Sequence, residues 1–368
     1  MINGVFSLYI HSEINSIHVN IKEIYSYFLS CSTVTMDSRD VPLNSLFFAL
    51  KGEHFNGNQF AEEAINKGAR YALVDDNQFA KDKRYIIVNN VLSTMQELAA
   101  HHRNQLNVQV LGITGSNGKT TTKEIVHRIL SKKYNTRSTE KNFNNQIGVP
   151  YTLLTLDRTF HIAVIEMGAN HPGEIKTLCN IANPDLGLIT NIGKAHLEGF
   201  GSFNGVIKTK NEMYDYIDQK GGVVFYNSDN QLLKKLLKDK HCRKIDFGTA
   251  GNEFCTGKML SSNPFVVLRV KDFPIIRSHL AGAYNFENVL AGICIGKYFK
   301  IGAEKISQAI ANYKPDNNRS QFIQTKSNEI LLDAYNANPT SMKAAIENFS
   351  RLQRKQKALI LGDMLELG

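Results

Sequence analysis

Between residues 112 and 122 the chain reads Gly-Ile-Thr-Gly-Ser-Asn-Gly-Lys-Thr-Thr-Thr, and its flanks leave little freedom in how it folds. An apolar run from Val108 to Ile113, broken only by Gln109, leads into it. Beyond it Ile125, Val126, Ile129 and Leu130 recur at the spacing of one helical face. Strand, glycine loop, Lys-Thr and helix, in that order, make a phosphate cradle. Glycines let backbone N–H groups close on phosphate oxygens, and the helix N-terminus adds positive potential. Gly115, Ser116, Asn117, Gly118 and Thr121 then belong to the nucleotide-binding loop. Lys119 reaches the terminal phosphates, and the Thr120 hydroxyl holds Mg²⁺. The usual spacing puts a glycine where this chain has Ile113, so Gly115 opens a shorter Thr-Gly-x-x-Gly-Lys-Thr loop.

A chain of 368 residues with 42% apolar content holds two or three domains with real cores. It has no apolar run of membrane length, and its start lacks the charged-then-apolar pattern of a signal peptide, so no membrane insertion is expected. Cys31, Cys179, Cys242, Cys255 and Cys294 are odd in number, far apart and form no CxxC pair. They read as reduced thiols of a cytoplasmic protein rather than zinc ligands. The net charge of +9 suits anionic ligands. The basic runs 234–244 and 351–357 read as solvated helix faces, and no recognition module points to nucleic acid.

Residues 1–103 alternate strand-like runs, clearest at Leu46-Phe-Phe-Ala-Leu50 and Tyr71-Ala-Leu-Val74, with turns, and end in a helix near His102. From 104 to 313 the rhythm is strand, helix, strand. Ile162-Ala-Val-Ile165, Leu186-Gly-Leu-Ile189 and Val223-Val-Phe-Tyr226 are short apolar runs, which predicts a parallel sheet covered on both faces. An antiparallel hairpin is expected at 264–280 and helices at 283–298 and 302–312. After the break at Pro315-Asp-Asn-Asn318, residues 314–368 read as a strand pair (321–324, 329–332), a helix (340–353) and a strand (358–361). So small a third domain, ending just after a strand, looks incomplete.

Catalytic groups of open parallel sheets gather at the carboxyl ends of strands. Glu166 ends one such strand, as a metal-binding acid or as an ordinary strand-end carboxylate. Asn191 ends the next and opens Asn191-Ile-Gly-Lys-Ala-His196. His196 is a functional imidazole by position, although a lone histidine is more often packed or exposed. Lys210 lies in a helical segment and by composition alone is a surface lysine.

Taken together, Thr114-Gly-Ser-Asn-Gly-Lys-Thr-Thr121, Asn144-Asn-Gln-Ile-Gly-Val-Pro150, Glu166-Met-Gly-Ala-Asn170, Asn191-Ile-Gly-Lys-Ala-His-Leu-Glu198 and Asp333-Ala-Tyr-Asn-Ala-Asn-Pro339 resemble the Mur ligases. Asp37-Ser-Arg39, Phe47-Phe-Ala-Leu-Lys-Gly52 and Leu361-Gly-Asp-Met-Leu-Glu-Leu-Gly368 resemble them too, so the likeness spans essentially the whole chain. It implies a three-domain α/β architecture: an N-terminal UDP-sugar-binding domain, a central P-loop parallel-sheet ATPase domain, and an incomplete C-terminal Rossmann-like domain. It also implies an ATP-dependent amide ligase that activates a carboxylate as an acyl phosphate. Tyr-Asn-Ala-Asn-Pro points to the member that adds D-alanyl-D-alanine to UDP-N-acetylmuramoyl-tripeptide for peptidoglycan, with ATP and Mg²⁺ as cofactors, in the cytoplasm and as a monomer.

The roles the resemblance implies fall on matching positions. Lys119, His196 and Lys210 would be catalytic, and Thr120, Glu166, His196 and a carbamylated Lys210 would hold metal. Asn285 and Asn288 resemble adenine contacts, with Tyr284 where the family usually has histidine. Arg319 would reach phosphate and Asp333 ribose. Ser38, Arg39, Lys51 and Gly52 resemble the UDP-sugar loops. Family members continue for several elements past the final motif, so the resemblance implies that a chain stopping at Gly368 has a loosely ordered third domain and ligates poorly. Two other readings remain: a folylpolyglutamate-synthetase-like ligase, which the Asp333–Pro339 motif disfavours, and a truncated module that binds nucleotide without ligating.

Overall fold

Short runs rich in β-branched and aromatic residues form strands wherever turn residues bound them. In the structure, a computed structural model describing residues 20–364, the chain divides into two units between Leu98 and Ala99. The first carries a four-stranded parallel sheet in the order Val34–Thr35, Leu46–Phe48, Tyr71–Val74, Tyr85–Ile87. Phe47, Ala49, Ala61, Ala64, Ile65 and Val74 close its core. A small hairpin pairs Lys51–Gly52 with Phe55–Asn56. The helix expected to end near His102 runs Val91–Gln105.

The second unit is built on nine strands, in the order Ile276–Ala281, Phe265–Val270, Cys255–Ser261, Arg243–Gly248, Val223–Asn227, Leu186–Ile189, Gln109–Thr114, Ile162–Glu166, Thr136–Ser138. Pairing is parallel from Cys255–Ser261 to Thr136–Ser138 and antiparallel through the first three, so the sheet is mixed rather than wholly parallel. Period-two alternation decides the faces. Leu111 and Ile113 join Ile125, Val126, Ile129 and Leu130 of helix Lys119–Leu130, the loop helix, in one core with Val289 and Ile293 of helix Asn285–Tyr298. Helix Phe203–Lys220 packs on three strands of the same sheet. The apolar stripe expected of the loop helix is thus the one that is buried.

Residues 321–324 and 329–332 form the expected antiparallel pair, followed by helix Pro339–Arg351. The strand expected at 358–361 does not form. Leu359, Ile360 and Leu361 are exposed, and among the described residues no strand pairs with them. Strand propensity without a partner leaves backbone groups to water, and the segment stays irregular. The last four residues of the motif that begins at Leu361 lie outside the described residues. The basic run 234–244 is only partly helical, because Gln231–Leu237 ends early and Arg243–Gly248 enters the sheet. All five cysteines are free thiols. Among the described residues no helix is long and apolar enough to cross a membrane.

Arg103 ties the helix that enters the second unit to the amino end of the sheet. Its guanidinium donates to the carbonyls of Ala182 (3.2 Å) and Asn183 (3.2 Å) and to Asp185 Oδ2 (2.9 Å). That carboxylate oxygen also accepts from the Val110 N–H, at the start of the strand leading to the glycine loop. Arg103→Ala would leave the Ala182 carbonyl without this donor, while Asn183 and Asp185 keep Lys220, and should cost roughly 1–3 kcal/mol, read as a lower urea midpoint with unchanged slope.

Candidate functional site

The glycine loop follows the strand Gln109–Thr114, and its shape depends on two residues with positive φ, Gly115 (141°) and Gly118 (79°). A side chain at Gly115 would run into Thr190 Oγ1, and one at Gly118 into the Asn288 carboxamide. The neighbouring strand end holds the loop from outside. Asn191 Oδ1 accepts from the Asn117 N–H (3.0 Å), and Asn191 Nδ2 and Thr190 Oγ1 both donate to the Asn117 carbonyl (3.0 and 2.6 Å). The Ser116 N–H donates to the Asn191 carbonyl, and the Ser116 hydroxyl exchanges hydrogen bonds with the Gly193 backbone. Asn191, singled out by position alone, is therefore a brace of the loop.

Lys119 folds back over the loop and donates to the carbonyls of Gly115 (2.7 Å) and Ser116 (3.2 Å). Burial pushes its ammonium below the usual lysine range; the Glu166 charge opposes that shift and Arg319 adds to it. Thr120, the next residue, donates from Oγ1 to Glu166 Oε1 at 3.1 Å, and Asn144 Nδ2 donates to the same oxygen at 2.9 Å. Glu166 is 1% exposed, and its Oε2 has no hydrogen-bond partner. A buried carboxylate oxygen left bare is costly unless a cation completes it. Asn144 belongs to the motif Asn144-Asn-Gln-Ile-Gly-Val-Pro150, and only the fold brings it to Glu166.

Lys210 is not the surface lysine its composition suggested: it is 2% exposed, within helix Phe203–Lys220. Burial first, and then repulsion from Lys119, bring its ammonium down to about 7, against the pull of Glu174 and Glu212. Its Nζ stands 5.5 Å from the centre of the Phe200 ring. His196 meets the same ring edge-on at 6.5 Å and adopts a left-handed backbone (φ 51°) at the start of the short helix Leu197–Phe200. Phe200 thus links the two residues. Among the described residues no three His, Cys, Asp or Glu side chains gather as a metal cage, so a cation here would lean on Glu166, Thr120 and groups brought from outside.

Asn285 and Asn288 have their side chains committed within the protein. Asn285 Nδ2 donates to the Ala281 carbonyl (2.7 Å), Asn288 Nδ2 to Asn285 Oδ1 (2.9 Å), and Thr122 Oγ1 to Asn288 Oδ1 (3.1 Å). They lock the loop helix to its neighbour. Thr121, one turn into the loop helix, is buried. Arg319 lies 3.7 Å over the Tyr335 ring, with its buried Nε unpartnered, and lines a cleft of about 460 Å³ with Thr120, Lys123, Lys141 and Asn142. Asp333 accepts from the Ser320 N–H (3.3 Å) and the Tyr284 hydroxyl (3.4 Å). Burial and the Asp333 charge push the Tyr284 phenol up to about 12, so it stays a donor.

The remaining residues belong to the first unit. Arg39 is exposed and pairs with Asp37 (2.7 Å), Ser38 gives its carbonyl to Lys67 (2.8 Å), and Lys51 pairs with Asp75 (2.8 Å) beside Gly52.

The sequence and the fold are similar to those of known proteins. Residues 30–115 match the Mur ligase family, catalytic domain; residues 113–296 the Mur ligase middle domain; and residues 318–368 the Mur ligase, glutamate ligase domain. UDP-N-acetylmuramoyl-tripeptide--D-alanyl-D-alanine ligase of Bacillus subtilis (strain 168) is 37% identical over 346 residues, covering 91% of this chain and 74% of the relative. The ligase of that name from Escherichia coli (strain K12) is 34% identical over 351 residues, covering 92% and 76%. MurF from Acinetobacter baumannii superposes with a TM-score of 0.82 at 29% identity, over 95% of this chain and 80% of that one. MurF ligase from Thermotoga maritima, solved in complex with ADP, gives 0.79 at 27% identity, over 93% and 79%. The chain belongs to the Mur ligase family.

Proposed function

We propose that the chain is an ATP-dependent ligase that joins D-alanyl-D-alanine to UDP-N-acetylmuramoyl-tripeptide through an acyl phosphate, in the cytoplasmic assembly of peptidoglycan precursor. The observation that carries the chemistry is the buried Glu166 carboxylate, with one oxygen held by Thr120 and Asn144 and the other bare, beside the phosphate-loop lysine. That donor set fits Mg²⁺, a hard cation that takes oxygen ligands and shares them with phosphates. The substrates come from the names of relatives that match along nine-tenths of the chain.

On this reading Lys119 offsets charge on the transferring phosphoryl group, and Thr120 and Glu166 hold the first metal ion. A metal ion and a lysine lower the repulsion between an attacking carboxylate and a phosphate, so the rate gain is mostly electrostatic. Lys210, whose ammonium burial brings down to about 7, would give up a proton and add carbon dioxide through its amine, releasing a second proton to solvent; the carbamate would be a negative ligand for a second metal, with His196 beside it. Asn285 and Asn288 would contact the adenine, besides holding Gly118 and the loop helix. Arg319 would reach phosphate and Asp333 ribose. Ser38, Arg39, Lys51 and Gly52 would anchor the UDP-sugar. We read three functional parts in the chain, residues 1–103, 104–313 and 314–368.

The test is phosphate release from ATP. It should require both UDP-N-acetylmuramoyl-tripeptide and D-alanyl-D-alanine; nucleotide binding without that dual requirement would reduce the protein to a binding module. Lys119→Ala should lower turnover on the order of 10²-fold or more while UDP-sugar affinity stays near wild type, because the sugar nucleotide is assigned to other residues. Wild-type turnover in that variant would remove the loop from the mechanism. Lys210→Ala should be poorly active and partly rescued by short carboxylic acids that fill the place of the carbamate. Full activity, indifferent to added acid or bicarbonate, would rule out a metal-binding role for Lys210.

A further inference from the structure

Asn338 stands at the start of helix Pro339–Arg351 and does two things with one carboxamide. Its Oδ1 caps the helix by accepting from the Ser341 N–H at 2.9 Å, while Ser341 Oγ accepts from the Asn338 N–H at 3.0 Å. The cap fixes which end of the amide is the oxygen. The nitrogen is left to donate elsewhere, and it donates to Asn117 Oδ1 in the phosphate loop at 2.7 Å, a contact between residues 221 positions apart. Thr340, two residues on, lies against Gly193, whose backbone grips the Ser116 hydroxyl. Two neighbouring positions of this segment therefore land on the phosphate loop and on the strand end that braces it.

The residue type carries the argument. Serine, threonine, aspartate and asparagine all serve as helix caps. Of these only asparagine keeps an oxygen for the helix and an N–H for a second acceptor. Asn117 is equally specific: its backbone N–H and carbonyl are already held by Asn191 and Thr190, and its side-chain oxygen takes the bond from Asn338. Arg319 and Asp333 flank the strand pair Gln321–Gln324 and Glu329–Leu332 that leads into Asn338.

We propose that Asn338 is a positioning residue that latches the segment bearing Arg319 and Asp333 to the phosphate loop through Asn117. The nucleotide is then gripped by both parts in register. The latch rests on the reading of the loop as the ATP site. It acts on nucleotide affinity, because each part holds the ligand more tightly when the other is held in place.

Asn338→Ser separates the two roles, since serine still caps but is too short to reach Asn117. Titrated with Mg-ADP, this variant should bind about fivefold or more weakly, the net worth of a lost hydrogen bond. The KM for ATP should rise with it while kcat changes less. Hydrogen exchange in helix Pro339–Arg351 should stay as protected as in the wild type. Ser341→Ala should do the reverse, loosening the helix with ADP affinity unchanged. Asn117→Ala should match Asn338→Ser, and the double variant should bind no more weakly than either single one. Wild-type ADP affinity in Asn338→Ser, or losses that multiply in the double variant, would overturn the latch. A wild-type protein that binds ADP but never ligates would sink the ligase reading alone, because the ADP titrations judge the latch independently.

Discussion

The phosphate loop keeps its shape because polar groups arrive from outside it. Two glycines with positive φ let the backbone turn tightly, but that freedom alone would leave many conformations open. Thr190 and Asn191, at the end of the adjacent parallel strand, hold both backbone groups of Asn117. Asn288, from a helix far along the chain, sits against Gly118 and bonds Thr122. A loop held this way pays its ordering entropy at folding rather than at binding, which is what a preorganised site requires.

Charge gives the same cavity its direction. Lys119 feels repulsion from Arg319, and Lys210 feels repulsion from Lys119, while Glu166 is the carboxylate that offsets Lys119. Cations gathered in a buried place are unfavourable unless an anion joins them. A polyphosphate with a bound cation would relieve both: negative charge for the lysines and a cation for the bare oxygen of Glu166. The lowered pKa of Lys210 marks a buried place short of negative charge, and the unsatisfied Glu166 oxygen marks one short of a cation.

Local pattern was legible in the sequence wherever chemistry is local. The glycine loop, the face made by Ile125, Val126, Ile129 and Leu130, the strand pair at 321–332 and the strand-end position of Glu166 depend only on neighbouring residues, and they stand where periodicity and turn chemistry put them. Periodicity misled at 358–361, since a strand exists only beside another strand. The antiparallel hairpin expected at 264–280 does form, but its joining the large sheet through strand Cys255–Ser261, which makes that sheet mixed, was not legible, because sheet membership is a property of the partner strand.

What the sequence by itself determined is the identity of each reactive group and the strand–loop–helix unit that offers it to a phosphate. Tertiary structure alone decided their states. Lys210 is exposed by composition and buried by fold, and only burial and the approach of Lys119 bring its ammonium near neutrality. Asn285 and Asn288 read in the motif as amides offered to a nucleotide, and the fold adds that each also bonds within the protein once the helix packs. Asn338 is an ordinary helix cap until a loop 221 residues away takes its second hydrogen bond. Desolvation, hydrogen-bond partnership and charge proximity all depend on distance in space, and sequence spacing specifies that distance only within a few residues.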